Sequence, residues 1–214
     1  DVNHDGFADV LVGRPNYKNK DGSLGRVDLY LGRKTGLPVT PDWTGKRPNT
    51  DGRYGAELAF LGDVDGDGLD DAAFSAGAER GARSASTVFV HLGTAAGFQD
   101  QPAWTLSGEQ SVAGFGETIT GVGDVNGDGL ADFAIAAPHH AQLSGELGRI
   151  FLYLGTTNRS PLQPTLVIDG GKTDARFGQV IERVGDLNAD GLPDFAVGSP
   201  RWNTSQGANR KSVV

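Results

Sequence analysis

The 214-residue sequence contains no cysteine and no methionine. Without cysteine there is no disulfide framework and no thiol chemistry, so an extracellular protein of this sequence is left with packing and metal for its stability. No apolar run approaches the length of a membrane span. Basic residues are the minority, 19 Lys and Arg against 27 Asp and Glu, and the formal net charge is −8. They form no cluster, which argues against nucleic acid as a partner. The sequence also lacks a Gly-x-Ser-x-Gly elbow, a His-Glu-x-x-His pair and a Gly-rich phosphate loop with Lys, so it carries no signature of an enzyme. Hydrophobic residues make up only 37%, a low share for a compact core.

What the chain has in excess is glycine, 33 residues, set at recurring places with no collagen-like triplet. Four acidic segments recur with it. They run Asp1-Val-Asn-His-Asp-Gly-Phe-Ala-Asp9, Asp63-Val-Asp-Gly-Asp-Gly-Leu-Asp-Asp71, Asp124-Val-Asn-Gly-Asp-Gly-Leu-Ala-Asp132 and Asp186-Leu-Asn-Ala-Asp-Gly-Leu-Pro-Asp194. Their first residues lie 62, 61 and 62 apart, a fixed period that marks a repeat architecture. An aromatic-Gly pair precedes three of them by nine residues: Tyr54-Gly55, Phe115-Gly116 and Phe177-Gly178. A short apolar run follows each, as in Val10-Leu11-Val12 and Phe133-Ala134-Ile135. Then come Gly25-Arg-Val-Asp-Leu-Tyr-Leu-Gly32 and its echoes at 86–93 and 148–155, and last Trp43 and Trp104, with Leu166 in the third such place.

Each repeat therefore reads as four short strands. The third is apolar on both faces, with Val88, Val90 and Leu92 on one and Phe89 on the other. Side chains alternate along a strand, so such a sheet must be packed between two others. No 3.6-residue period competes. The expected fold is all-β, a β-propeller of four-stranded blades, with a solenoid of sheets as the other possibility. The chain opens inside a motif at Asp1, so a fragment or processed product is expected, with any signal peptide out of view. It would form a partial ring of about three and a half blades: a single propeller fragment over 1–214 divided into a partial blade 1–50, full blades 51–111 and 112–173, and a partial blade 174–214.

The acidic pattern Asp-x-[Asp/Asn]-x-Asp-Gly-x-x-Asp has the logic of a calcium loop. Ca²⁺ takes six to eight oxygen ligands, and alternate side chains of a tight loop converge on one point. The expected ligands are Asp1, Asn3, Asp5, the carbonyl of Phe7 and Asp9; Asp63, Asp65, Asp67, Leu69 and Asp71; Asp124, Asn126, Asp128, Leu130 and Asp132; and Asp186, Asn188, Asp190, Leu192 and Asp194. That makes up to four Ca²⁺ ions. Asp, Asn and Gly also build ordinary solvated turns, but two carboxylates ~4 Å apart repel by about 1 kcal/mol in water and more when desolvated. Four copies in register call for a cation. Magnesium fits less well, since it prefers octahedral geometry and retained water. The second loop, with four carboxylates, is expected to bind most tightly. Extracellular sites of this kind bind at ~10⁻⁴–10⁻³ M, which places the protein outside the cell, secreted or at the surface.

Phe115-Gly116, Phe177-Gly178, Val197-Gly-Ser-Pro200 and Ala136-Ala-Pro138, with the acidic nonapeptides between them, resemble the FG-GAP repeats of integrin α-subunit propellers and their bacterial relatives. Tyr54 departs from the pattern, as does Ser75-Ala-Gly-Ala, which lacks the proline. The resemblance implies a seven-bladed parent ring with calcium in the strand 1–2 loops on one face. It implies a protein or glycan ligand on the opposite face, met by the 2–3 and 4–1 loops near 14–25, 77–86, 138–148 and 200–208, and near 45–53, 107–114 and 169–176. These hold Tyr17, His139, His140, Arg201 and Trp202.

Two functional classes remain. One is an adhesion or recognition module that is not an enzyme and is not embedded in a membrane. The other is an accessory propeller of a secreted hydrolase, a phospholipase or a polysaccharide-degrading enzyme. No catalytic residue and no organic cofactor is expected. His139-His140 could bind a metal, but nothing nearby in sequence completes a site. The recurrence of Trp43 and Trp104 favours blade packing over sugar binding. Asn158-Arg-Ser160 and Asn203-Thr-Ser205 fit the glycosylation acceptor pattern, a weak signal.

Overall fold

The computed structural model describes all residues except 21, 23, 46–51, 78–86, 111–112, 143–144, 159, 161, 205–206, 209–210 and 214, and at 203–204, 207–208 and 211–213 it describes the backbone. Twenty strands and no helix occur among the described residues, so no helix there is long and apolar enough to cross a membrane. The first sheet holds β1 (Val10–Gly13), β2 (Val27–Tyr30) and β3 (Trp43–Gly45). The second holds β4 (Leu58–Gly62), β5 (Asp71–Ala76) and β6 (Thr87–His91). A short hairpin of β7 (Gly93–Thr94) and β8 (Gly97–Phe98) then leads to β9 (Trp104–Ser107). The third has the same four main strands, with its hairpin one connection earlier, and begins with β10 (Thr118–Gly123) and β11 (Asp132–Ala137). The hairpin of β12 (Ala141–Gln142) and β13 (Gly145–Glu146) follows, then β14 (Arg149–Tyr153) and β15 (Leu166–Asp169). In the fourth are β16 (Val180–Gly185) and β17 (Asp194–Ser199), the hairpin of β18 (Asn203–Thr204) and β19 (Gly207–Ala208), and β20 (Lys211–Val213).

The second and third sheets are four-stranded antiparallel meanders, ordered β4-β5-β6-β9 and β10-β11-β14-β15. The first and fourth are three-stranded, β1-β2-β3 and β16-β17-β20. This is part of a β-propeller. The antiparallel order puts the acidic 1–2 loops and the 3–4 connections at one end of every sheet, and the 2–3 and 4–1 connections at the other.

The innermost strands β4, β10 and β16 stand side by side. Thr118 and Thr120 donate their hydroxyl protons to the carbonyls of Gln179 and Ile181, at 3.1 and 3.0 Å. The approach is so close that a Cβ on Gly121 would lie 2.8 Å from the carbonyl oxygens of Phe60 and Leu61. Apolar layers fill the space between successive sheets. Val27, Leu29, Phe74 and Phe89 lie between the first two, and Val88, Val90, Phe133 and Phe151 between the second and third. Val122, Ala134, Ile150 and Val197 lie between the third and fourth. Strand β6 is buried on both faces, the demand read from its sequence.

The aromatic-Gly pair makes the joint between sheets. Tyr54, Phe115 and Phe177 are buried. The glycine beside each has φ of +81°, +81° or +86°. A Cβ on it would come within 2.7–2.8 Å of Val27, Val88 or Ala136 of the preceding sheet. Only glycine meets both conditions. Trp43 and Trp104 also serve packing. Trp43 meets Phe98 edge-on at 5.4 Å, and Trp104 donates its indole N–H to the Ser160 carbonyl at 3.0 Å. Each thus reaches from the outer strand of one sheet onto the next.

Candidate metal centres

The four acidic loops share one backbone conformation. The glycine at the sixth position (Gly6, Gly68, Gly129, Gly191) has φ of +88° to +91°. A Cβ there would meet nothing within 4 Å, so the left-handed backbone, not space, demands glycine. The fourth position is left-handed too, in His4 (φ 53°), Gly66, Gly127 and Ala189 (φ 60°). The sequence pattern, with His, Gly, Gly and Ala at that place, does not mark it. A further feature was missed. In the last three repeats the inner strand ends in a bulge, with a register shift just before Gly62, Gly123 and Gly185. The bulge turns the chain so that the next residue, the first aspartate, faces into the loop.

The first aspartate organises the turn. Asp63 Oδ1 accepts the amides of Gly66 (2.6 Å) and Asp67 (3.1 Å), and its Oδ2 accepts that of Gly68 (2.8 Å). Asp124 does the same with Gly127, Asp128 and Gly129. Desolvation pushes the Asp124 carboxyl up, but these amides and that of Asn126 outweigh it and hold it below the ordinary range. The third and fifth positions face each other. In three loops the Asn amide donates to the Asp, from Asn3 to Asp5 (3.1 Å), Asn126 to Asp128 (2.9 Å) and Asn188 to Asp190 (2.9 Å). The second loop has Asp65 in place of that Asn and brings carboxylates together instead. One oxygen each of Asp63, Asp65 and Asp71 lie within 4.8 Å of one another.

The ninth aspartate ties the loop to the sheet. Asp71 is fully buried and takes two amides, Val64 N–H on Oδ2 and Gly93 N–H on Oδ1, both at 2.8 Å. Asp132 takes Val125 and Gly155, both at 2.8 Å, and Asp9 takes Val2 and Gly32 at 2.7 and 2.8 Å. A single carboxylate thus joins the start of the 1–2 loop to the end of the third strand. Burial pushes the Asp71 carboxyl up to about 7, against the pull of those two amides and helped by the charges of Asp65 and Asp67. Burial raises Asp132 as well. An oxygen that accepts one hydrogen bond keeps a second lone pair, so such a carboxylate can serve the backbone and a cation together. A buried acid strained toward protonation, ringed by other carboxylates, fits a hard divalent cation by its donor chemistry.

At the opposite end, Tyr17 is exposed under the Arg26 guanidinium (5.3 Å) and Trp202 lies beneath Lys172 (5.8 Å). Arg201 is exposed. His139 stands between Glu146 Oε2 (3.1 Å) and Glu117 Oε2 (3.5 Å). His140 is buried 3.5 Å from Glu109. Gln110 clamps the 2–3 hairpin by bonding both the N–H and the C=O of Ala141. These glutamates and Gln110 belong to no motif and had no signal in the sequence. The loop residues 78–86 and 46–51, and the side chain of Asn203, lie outside the described residues. His91 is buried and bonded to the Tyr54 hydroxyl (3.2 Å) and the Gln99 carbonyl (2.9 Å), a packing role.

The profile of the family described as FG-GAP repeat matches residues 1–30, 115–153 and 183–214. The chain is built from FG-GAP repeats. The chain is similar to curated integrin alpha subunits. Integrin alpha-4 of Xenopus laevis is 30% identical over 195 residues, 89% of this chain and 18% of that protein. Integrin alpha-8 of Gallus gallus is 33% identical over 199 residues, 91% of this chain and 17% of that protein. Integrin alpha-IIb of Mus musculus is 40% identical over 106 residues, 47% of this chain and 10% of that protein. The FG-GAP chain spans less than a fifth of the length of these relatives.

Proposed function

We propose that this chain is the calcium-binding propeller module of an extracellular, secreted or cell-surface protein, and that it mediates adhesion or recognition of a protein or glycan without catalysing a reaction. The observation that carries the reading is the convergence of Asp63, Asp65 and Asp71 within 4.8 Å in a loop that recurs four times. The similarity to integrin α subunits supports the adhesive part. The cation ligands would be the side chains at positions one, three, five and nine and the carbonyl at position seven of each loop. Bound there, Ca²⁺ supplies charge neutralisation and cross-linking, and no chemical step. In the three Asn-bearing loops the amide would turn its oxygen inward, giving up its bond to the fifth aspartate. The blades would run 1–50, 51–111, 112–173 and 174–214. The ligand would meet the end opposite the cations, where the 2–3 and 4–1 loops carry Tyr17, His139, His140, Arg201 and Trp202.

The test is thermal unfolding in millimolar calcium, in millimolar magnesium and in excess EDTA. At ten to a hundred times Kd, each filled site adds about 1.5–3 kcal/mol to the folded state, a rise of several degrees in Tm for a domain of this size. Calcium should raise the midpoint and magnesium should do little. An unchanged midpoint in calcium would show the loops to be ordinary turns. Asp128→Ala should remove one site's share of that rise.

A further inference from the structure

A backbone hydrogen bond joins the second and third acidic loops, whereas the third and fourth meet through packing of Leu192 toward Gly127 and lack that bond. Ala131 N–H donates to the carbonyl of Asp63 at 2.8 Å. Val64 N–H donates to Asp71 Oδ2 at 2.8 Å. Two planar peptide groups link these bonds. One joins Leu130 to Ala131, with the Leu130 carbonyl on one side and the Ala131 N–H on the other. The second joins Asp63 to Val64, with the Asp63 carbonyl and the Val64 N–H likewise opposed. A continuous relay therefore runs from Leu130 C=O, the seventh position of the third loop, through two peptides to the Asp71 carboxylate, the ninth position of the second. A parallel bond from Thr156 N–H to the Val64 carbonyl (2.7 Å) fixes the same stretch from the 3–4 connection. Leu130 also packs on the second loop, since a Cβ on Gly66 would lie 3.0 Å from its Cδ2.

The fourth loop breaks this pattern at one atom. Its eighth residue, in the place of Ala131, is Pro193, which has no N–H to give to Asp124. Between the first and second loops the eighth residue, Asp70, makes side-chain contacts instead, with His4 Nε2 3.9 Å from its carboxylate.

We infer that calcium binds the second and third loops cooperatively, through the Leu130–Ala131 and Asp63–Val64 peptides, while the third and fourth loops bind independently. This rests on the calcium reading above. A cation on the Leu130 carbonyl fixes the plane of its peptide and withdraws charge from it, which strengthens the Ala131 N–H as a donor. The Asp63 carbonyl and the Val64 N–H are polarised in turn, and Asp71 is held in the rotamer that faces its own cation. The coupling is reciprocal, as any binding linkage must be.

The experiment is a calcium titration of the full chain followed by amide NMR, with Gly68 reporting the second loop, Gly129 the third and Gly191 the fourth. Asp128→Asn, which weakens the third site alone, is expected to lower the second loop's affinity about fivefold or more. In an Ala131→Pro background the same change should leave the second loop's affinity where it was. Proline stands naturally at that place in the fourth loop, and the spectrum itself reports folding. Asp190→Asn should leave the third loop unaffected, and should begin to affect it when Pro193→Ala supplies the missing N–H. Equal second-loop affinities with and without Asp128→Asn would overturn the coupling while leaving calcium binding intact. So would a coupling that survives Ala131→Pro. No saturable shift at any of the three glycines would instead overturn the calcium reading, and the coupling with it.

Discussion

The second and fourth acidic loops share a motif and a backbone, yet they are held very differently. Val64, at the second position of one, is 1% exposed, and Leu187, at the same position of the other, is 59% exposed. Asp71 is buried and takes amides from both the loop and the third strand. Asp194, only half-buried, takes the Leu187 amide. The difference lies in what packs alongside: Val64 sits in the apolar layer under Phe133 and Tyr153 of the third sheet, and no further sheet among the described residues covers Leu187 of the fourth. The motif thus sets the turn, and the neighbouring sheet sets how deeply the turn is buried.

The largest contrast is expected in the core behind the loops. Phe133, the residue after the third loop, is fully buried and stacks on Tyr153 at 5.1 Å. Phe195, its counterpart after the fourth, is half-buried. Phe133→Ala should cost about 3–5 kcal/mol and Phe195→Ala about 1–2 kcal/mol in urea unfolding. Equal losses would mean that the fourth sheet is as tightly packed as the third.

The pH dependence tests the clasp itself. The folded-state value of about 7 for Asp71 stands above its ordinary 3.8, so the protonated form favours the fold. With EDTA present, that contribution is complete below about pH 4 and is lost as pH rises through 7. Hydrogen exchange at the Val64 and Gly93 amides should therefore speed up, beyond the intrinsic base-catalysed rise, between pH 5 and 8. Calcium should reverse the change above pH 7, where no proton competes for Asp71. Asp132, raised in the same direction by burial, should follow at Val125 and Gly155. A profile flat in pH with EDTA would show that the clasp does not titrate in this range.

Most of this was legible in the sequence, for identifiable reasons. Four strands per repeat could be read because each segment is short, bounded by Gly or Pro, and apolar on the face that packs. The acidic loops could be read because their carboxylates fall within nine consecutive residues and recur at a fixed period. What stayed hidden was whatever depends on partners distant in sequence. The amides of Gly32, Gly93 and Gly155 reach Asp9, Asp71 and Asp132 across 22–23 residues. Nothing local marks an amide as a partner of a particular carboxylate. Glu109 beside His140 and Arg149, and Gln110 on Ala141, likewise come from separate connections brought together at the end opposite the acidic loops. The two glutamates flanking His139 were silent because a single Glu carries no period.

A substitution at the third position moves one loop toward another. Asn126→Asp gives the third loop the four carboxylates of the second. It also removes the 2.9 Å bond from Asn126 to Asp128. More ligand charge raises calcium affinity, by about tenfold for a gain near 1.4 kcal/mol. With EDTA the same substitution should destabilise slightly, because two carboxylates now face each other. Calorimetric titration at low and high salt separates the two effects, since screening weakens the repulsion. A variant equally stable with EDTA and no tighter for calcium would remove ligand charge as the reason the second loop differs.

The smallest effect lies at the fourth position, where Gly66 and Gly127 stand in the second and third loops and Ala189 in the fourth. Ala189 holds a φ of 60°, a left-handed conformation that costs an L-residue about 1 kcal/mol. Ala189→Gly removes that strain, though it gives the unfolded chain more freedom. The net gain should be about 0.5 kcal/mol, one or two degrees in Tm. The reverse change, Gly127→Ala, should cost more than this gain, because its new Cβ would also meet Leu192 Cδ2 at 3.3 Å. If Ala189→Gly destabilises instead, the fourth loop is not held in the shared turn, and its difference from the second begins in the backbone before any neighbour is considered.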